Sequence, residues 1–129
     1  MNENQIAKDV VDAAVKVHAK LGPGLLESVY EAVLAREIER RGWHVERQVL
    51  IPIEYDGLRF DEGFRADILV EGKVILELKS VEQLAKVHFK QLTTYLKLAD
   101  KRLGLILNFG ADLMKEGIKR IANGIEDTP

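Results

Sequence analysis

The chain has 129 residues, 47% hydrophobic and 31% charged, a balance that predicts one soluble domain over residues 1–129 with no room for a second core. It contains no cysteine, which excludes disulfides, thiolate zinc sites, iron–sulfur clusters and cysteine nucleophiles and fits a reducing, cytoplasmic setting. The net charge of −2 counts against holding nucleic acid by broad phosphate neutralisation, although a local basic rim around an acidic metal site is compatible with it.

The opening MNENQIAKDV reads as an acidic polar start rather than a signal peptide, and no apolar run reaches the length of a membrane span. From about Asn4 to Lys20, the spacing of Ile6, Val10, Ala13, Val17 and Leu21 predicts an amphipathic helix. Gly22-Pro23-Gly24 ends it, because proline lacks the N–H that the helical ladder needs. A second helix is expected from Leu25 to Arg41, with Leu26, Val29, Tyr30, Val33 and Glu37 near one stripe and Gly42 as its stop. The period then changes to two. His44 to Glu54 reads as a strand, Asp56-Gly57 as a tight turn and Leu58-Arg59-Phe60 as the return.

Two short strands are expected next, Phe64–Val70 and Val74–Lys79, on either side of Glu71-Gly72-Lys73. Glu82 to Ala99 reads as a helix with Ala85, Phe89, Leu92, Leu96 and Ala99 buried. Leu103 to Phe109 is apolar on both faces, the mark of a central strand. A short helix is expected over Leu113–Ala122, and a frayed tail over 123–129. The order α-α-β-β-β-α-β-α predicts an α/β (α+β) fold, a mixed sheet flanked by helices.

Chemistry concentrates in the segment Arg65 to Lys79. Residues two apart on a strand share a face, so Glu77 and Lys79 project together while Leu76 and Leu78 go to the other side. Burying unpaired charge is costly, and a divalent cation would offset it. Magnesium takes hard oxygen ligands, commonly one or two carboxylates plus waters and a substrate phosphate, and Asp67 on the preceding strand offers the second carboxylate. Register decides whether it can. A two-residue turn at Glu71-Gly72 would pair Asp67 with Leu76 and point it away from Glu77. A three-residue loop with glycine in the left-handed position brings Asp67 to the Glu77/Lys79 face, and this loop is the expectation.

His88, Gln91 and Tyr95 form a polar row on the third helix, able to bind a phosphate or orient a water, although an ordinary helix flank would look the same. Glu27 sits near the start of the second helix. A carboxylate there suits the helix dipole, and it also suits a ligand of a metal or of a metal-bound water.

Gly24-Leu-Leu-Glu27-Ser-Val-Tyr30 resembles the motif that names the GxxExxY proteins, small members of the PD-(D/E)xK nuclease superfamily. The likeness continues through Gly63-Phe-Arg-Ala-Asp67, Glu77-Leu-Lys79-Ser, His88-Phe-Lys-Gln91-Leu-Thr-Thr-Tyr95-Leu and Leu103-Gly-Leu-Ile-Leu-Asn108-Phe109 to Gly117-Ile-Lys-Arg120, about residues 5–122. Gln91-x-x-x-Tyr95 is similar to the helix motif of RecB-type nucleases. Ala66 stands where the superfamily's nominal proline precedes the first acid.

The resemblance implies a restriction-endonuclease-like core and hydrolysis of phosphodiester bonds in nucleic acid, DNA before RNA. It implies Mg²⁺ or Mn²⁺ held by Asp67 and Glu77 with the Leu78 carbonyl, and by Glu27 as the helical acid. Lys79 would activate or orient the attacking water, with Gln91 as an auxiliary catalytic residue. Arg65, His88, Gln91 and Tyr95 are the candidates for holding substrate. A homodimer is compatible with so small a chain. The other readings are a silent nucleic-acid-binding or adaptor domain and a dimeric junction-resolving nuclease.

Overall fold

The computed structural model describes residues 2–125. Helix α1 spans Glu3–Leu21 and opens on a reciprocal cap: the Gln5 N–H donates to the Asn2 side chain at 2.9 Å, and the Asn2 N–H donates to the Gln5 side chain at 3.1 Å. Its Ile6, Val10, Ala13 and Val17 are buried as the spacing required, while Leu21 at its end is exposed. Helix α2 spans Glu27–Arg40. Its buried face is Tyr30, Leu34 and Ile38 with Glu31 and Ala35; of the expected stripe Tyr30 is buried, while Leu26, Val29 and Val33 are exposed. Apolar residues lie on both sides of this helix, so periodicity alone could not choose the side.

Strand β1 (Val45–Tyr55) and strand β2 (Leu58–Val70) form a long antiparallel hairpin joined at Asp56-Gly57, both left-handed as a tight hairpin turn demands. The two separate stretches expected over 58–70 are one strand. The hairpin carries a bulge, because the register slips between Ile51 and Ile53, and Gly63 is needed there: a Cβ on it would collide with the Ile53 side chain.

Residues 71–73 then turn the chain into strand β3 (Val74–Lys79), with Val70 paired to Val74 and Ile68 to Leu76. The loop has the three residues expected, and Gly72 is left-handed together with Glu71. Helix α3 (Lys86–Ala99) crosses over to strand β4 (Leu103–Asn108), which lies parallel to β3 and is buried throughout. The helix starts four residues later than Glu82, so Ala85 is its exposed cap rather than part of the buried stripe.

The last element differs most. Instead of a helix over Leu113–Ala122 there is one helical turn, α4 (Met114–Gly117), and then strand β5 (Ile118–Ala122), antiparallel to β4. Ile118 and Ile121 are three apart, which suits either conformation. The unpaired backbone along the far edge of buried β4 decides for a strand. Asn123 is anchored too, with its side chain donating to the Lys101 carbonyl at 2.9 Å. The rest of the tail, 126–129, lies outside the described residues.

The sheet order is β1-β2-β3-β4-β5. Helices α1 and α2 bury one face against Ile68, Val70, Leu76, Leu78, Leu105 and Leu107, and α3 buries the other with Leu92 and Leu96 against Ile75 and Ile106. This mixed sheet with helices on both sides meets the expectation of a restriction-endonuclease-like fold.

Candidate active site

The ladder between β2 and β3 ends at the pair Ile68–Leu76. The next rung sets Asp67 opposite Glu77, and there side chains replace the ladder. The Asp67 N–H donates to the Glu77 carboxylate at 3.0 Å, and the Leu78 N–H donates to the Asp67 carboxylate at 2.9 Å. Beyond this rung the strands part, since β3 stays with β4 as far as Lys79–Asn108 while β2 leaves for α3, where Phe64 stacks on Tyr95 at 3.9 Å. The two acids sit in the fork. An N–H and C=O of one extended residue point to the same strand edge, so the Leu78 carbonyl faces the Asp67 side as well.

Glu77 is only 7% exposed and Asp67 is half-buried. Burial, and next the neighbouring Asp67 charge, push the Glu77 pKa up to about 7. Burial also raises Asp67, against the Leu78 N–H that lowers it. Lys79 lies close enough to favour the charged form of both. None of the ion pairs among the described residues involves Asp67, Glu77 or Lys79.

Two desolvated carboxylates and a carbonyl, all hard oxygen donors and none of them in an ion pair among the described residues, fit Mg²⁺ or Mn²⁺, which use few protein ligands and keep waters. Glu27 stands apart from the pair. It is exposed in the first turn of α2, and its charge reaches Asp67 and Glu77. Among the described residues, however, no three His, Asp or Glu side chains gather closely enough to share an ion.

The elements around the fork are fixed by buried polar contacts. Tyr30 stacks on Phe109 at 4.5 Å, its hydroxyl donates to the Gly22 carbonyl at 2.5 Å, and it accepts the Leu25 N–H at 3.1 Å. The tyrosine of Gly24-x-x-Glu27-x-x-Tyr30 therefore sets the entry into α2 and with it the place of Glu27. Ser80, next to Lys79, donates to the Leu25 carbonyl at 2.8 Å and ties that entry to the end of β3. Asn108, buried at the end of β4, accepts the Val81 and Gly110 N–H groups at 3.0 Å each.

The helical row divides. Gln91 lies one turn before Tyr95 on α3, and the Tyr95 pKa is raised by burial first and then by the charges of Glu77 and Asp67, which places this end of the row beside the fork. His88 caps α3, its Nδ1 accepting the Ala85 N–H at 3.1 Å. Arg65 is exposed on β2, in register with Leu50.

Three residues near the site, Glu31, Arg47 and Gln48, carry no signal in their local sequence. Glu31, 6% exposed on α2, takes Arg47 Nε at 3.0 Å and Gln48 Nε2 at 2.6 Å. Its position four residues after Glu27, on the same helix face, is the one available hint.

A mixed sheet that parts over two acids and a lysine defines the restriction-endonuclease-like class of protein. A family profile described as the PD-(D/E)XK nuclease superfamily matches residues 4–121, and the chain belongs to that superfamily. No curated protein matches the chain.

Proposed function

We propose that the chain is a divalent-metal-dependent nuclease of the GxxExxY type, hydrolysing phosphodiester bonds of DNA. The observation that carries this reading is the cross-bonded pair Asp67 and Glu77, two desolvated acids with Lys79 beside them and, among the described residues, no ion-pair partner to neutralise them. Superfamily membership supports the reaction class and a nucleic-acid substrate.

In this reading Asp67, Glu77 and the Leu78 carbonyl would hold the ion, with Glu27 as an additional ligand of the ion or of its water. When bound, Mg²⁺ or Mn²⁺ supplies Lewis acidity and a water of lowered pKa. Lys79 sets a positive charge where the phosphate gains negative charge and orients the attacking water. The Leu78 and Asp67 N–H groups keep both carboxylates aimed into the fork, so little reorganisation is needed when substrate arrives. Gln91, one turn before Tyr95 on α3, hydrogen-bonds the substrate next to the reacting phosphate. Arg65 and His88 are further out, and their contacts to substrate are made along the strand and at the α3 cap. A homodimer is part of the reading, supported by the exposed Leu26, Val29 and Val33 beside the site.

The test is direct. Purified chain incubated with duplex, single-stranded and branched DNA is expected to cut at least one of them in Mg²⁺ or Mn²⁺ and none in EDTA. Cleavage that persists in EDTA would point to a contaminant. Binding without cleavage of any substrate would leave a silent adaptor in its place.

A further inference from the structure

Buried Glu31 grips one edge of Arg47: the contact is through Nε, at 3.0 Å. The side chain of Arg47 is 46% exposed, and among the described residues its two terminal amino groups have no hydrogen-bond or ion-pair partner. A guanidinium is a planar fork of five donors that matches the oxygens of a phosphate. Here one donor is used to fix its plane, and four remain.

Its place in the fold matters as much as its free donors. Arg47 pairs with Ile68 and Val49 with Ala66, so the rung between them sets Gln48 opposite Asp67. Gln48 is left-handed, with φ +52°, in the middle of a strand, a conformation that is strained for any residue bearing a Cβ. Its side chain donates to the second Glu31 oxygen at 2.6 Å. Two successive side chains of β1 thus converge on one buried carboxylate, and the local strain is retained at the rung of the first acid of the fork. Ion pairing alone would not require the strained residue, because Arg47 already neutralises Glu31. The charge of Glu31 also reaches Asp67 and disfavours its ionised form, so this cluster, on the α2 side of the sheet, lies within electrostatic reach of the fork.

We propose that Arg47 is a substrate-binding residue: Glu31 and Gln48 hold its guanidinium so that the free amino groups grasp a backbone phosphate flanking the one that is cut. The inference rests on the nuclease reading above, and it names a phosphate subsite on β1 that the Asp67/Glu77/Lys79 set does not include. It also answers a charge problem. A substrate polyanion must approach Asp67, Glu77, Glu27 and Glu31 together, and a fixed cation at this rim offsets that repulsion.

Salt dependence of binding tests it. Each phosphate that a protein ceases to neutralise makes the plot of log K against log salt shallower by about 0.9 for duplex DNA and about 0.7 for single strands. Arg47→Ala alone leaves Glu31 buried and unpaired and can unfold the chain, so the comparison is Glu31→Gln against Glu31→Gln/Arg47→Ala. Both are made in a Lys79→Ala background, slowed enough for binding to be read before cutting, with short labelled duplex and single-stranded DNA in Mg²⁺. The double variant is expected to bind about tenfold more weakly and to show a plot shallower by one phosphate, at an unchanged melting temperature. Equal slopes and affinities in the two variants overturn the subsite. If the Lys79-containing parent cuts DNA in that case, the nuclease reading stands without it. If the parent neither binds nor cuts, both fail together.

Discussion

Lys79→Ala is expected to slow Mg²⁺-dependent cleavage by about 10²–10³, the usual loss when one fixed electrostatic donor is removed from a transition state. The side chain lies on the last residue of β3, half-buried, where its backbone is held by the Phe109 N–H at 2.8 Å and by the pairing with Asn108. Removing the ammonium leaves those bonds intact, and Lys79 takes part in no ion pair among the described residues. The melting temperature should therefore stay close to that of the parent. Measured as kcat at saturating substrate, the loss should appear there rather than in KM, because the charge acts where negative charge develops. Unchanged kcat, or a loss matched by a collapse in melting temperature, would remove Lys79 from the chemistry.

The second large effect is on stability, and it has the opposite sign. Glu77 in the unfolded chain loses its proton near pH 4.5, whereas in the folded chain it does so near pH 7. Between those values the native state holds more protons than the unfolded state, so stability falls as pH rises through that window and the full penalty is present above it. The size is on the order of 3 kcal/mol for a group as buried as this one. Glu77→Gln keeps an oxygen for the Asp67 N–H and removes the charge. In EDTA at pH 8 the variant should be the more stable protein, by roughly 10 °C in melting temperature. The gap should close below about pH 4.5, where the parent carboxyl is protonated in both states. Saturating Mg²⁺ should narrow it by stabilising only the parent. The variant should be inactive throughout. A variant less stable than the parent at pH 8 would mean that Glu77 is not held charged against its surroundings.

Strain of this kind, a site less stable than the inert protein it could have been, is what the proposed cation site would demand of the fork. The same logic covers Gln48, whose left-handed backbone on β1 has no local cause in Arg47-Gln48-Val49. Its cause is Glu31, seventeen residues away on α2. That is why the sequence could not show it: a left-handed glutamine within an alternating strand has no signature, and the pairing is tertiary.

Other features were legible because they are local. The segment Glu71-Gly72-Lys73 allowed two registers, and the one expected from the need to bring Asp67 beside Glu77 is the one the β2/β3 pairing has. The apolar run Leu103–Phe109 likewise announced its place at the centre of the sheet. Residues 118–122 were not legible, because their conformation follows from the open edge of β4 rather than from their own period. The buried side of α2 was hidden for a related reason. Tyr30 is buried as expected, but Val29 and Val33, which look like core, are exposed, and Leu34 is buried in their place. His88 aligns with Gln91 and Tyr95 along the helix, and its Nδ1 also accepts the Ala85 N–H, a capping contact that spacing alone does not show.

Calorimetric titration of the chain with Mn²⁺ between pH 6 and 7, in two buffers of different ionisation enthalpy, bears most directly on the fork as a cation site. Binding is expected to release protons, because Glu77 is partly protonated there and must ionise to become a ligand. Asp67→Asn should abolish the binding. Absence of any binding heat in the parent, or Mn²⁺ binding that survives Asp67→Asn without proton release, would contradict the assignment of Asp67 and Glu77 as the ligands.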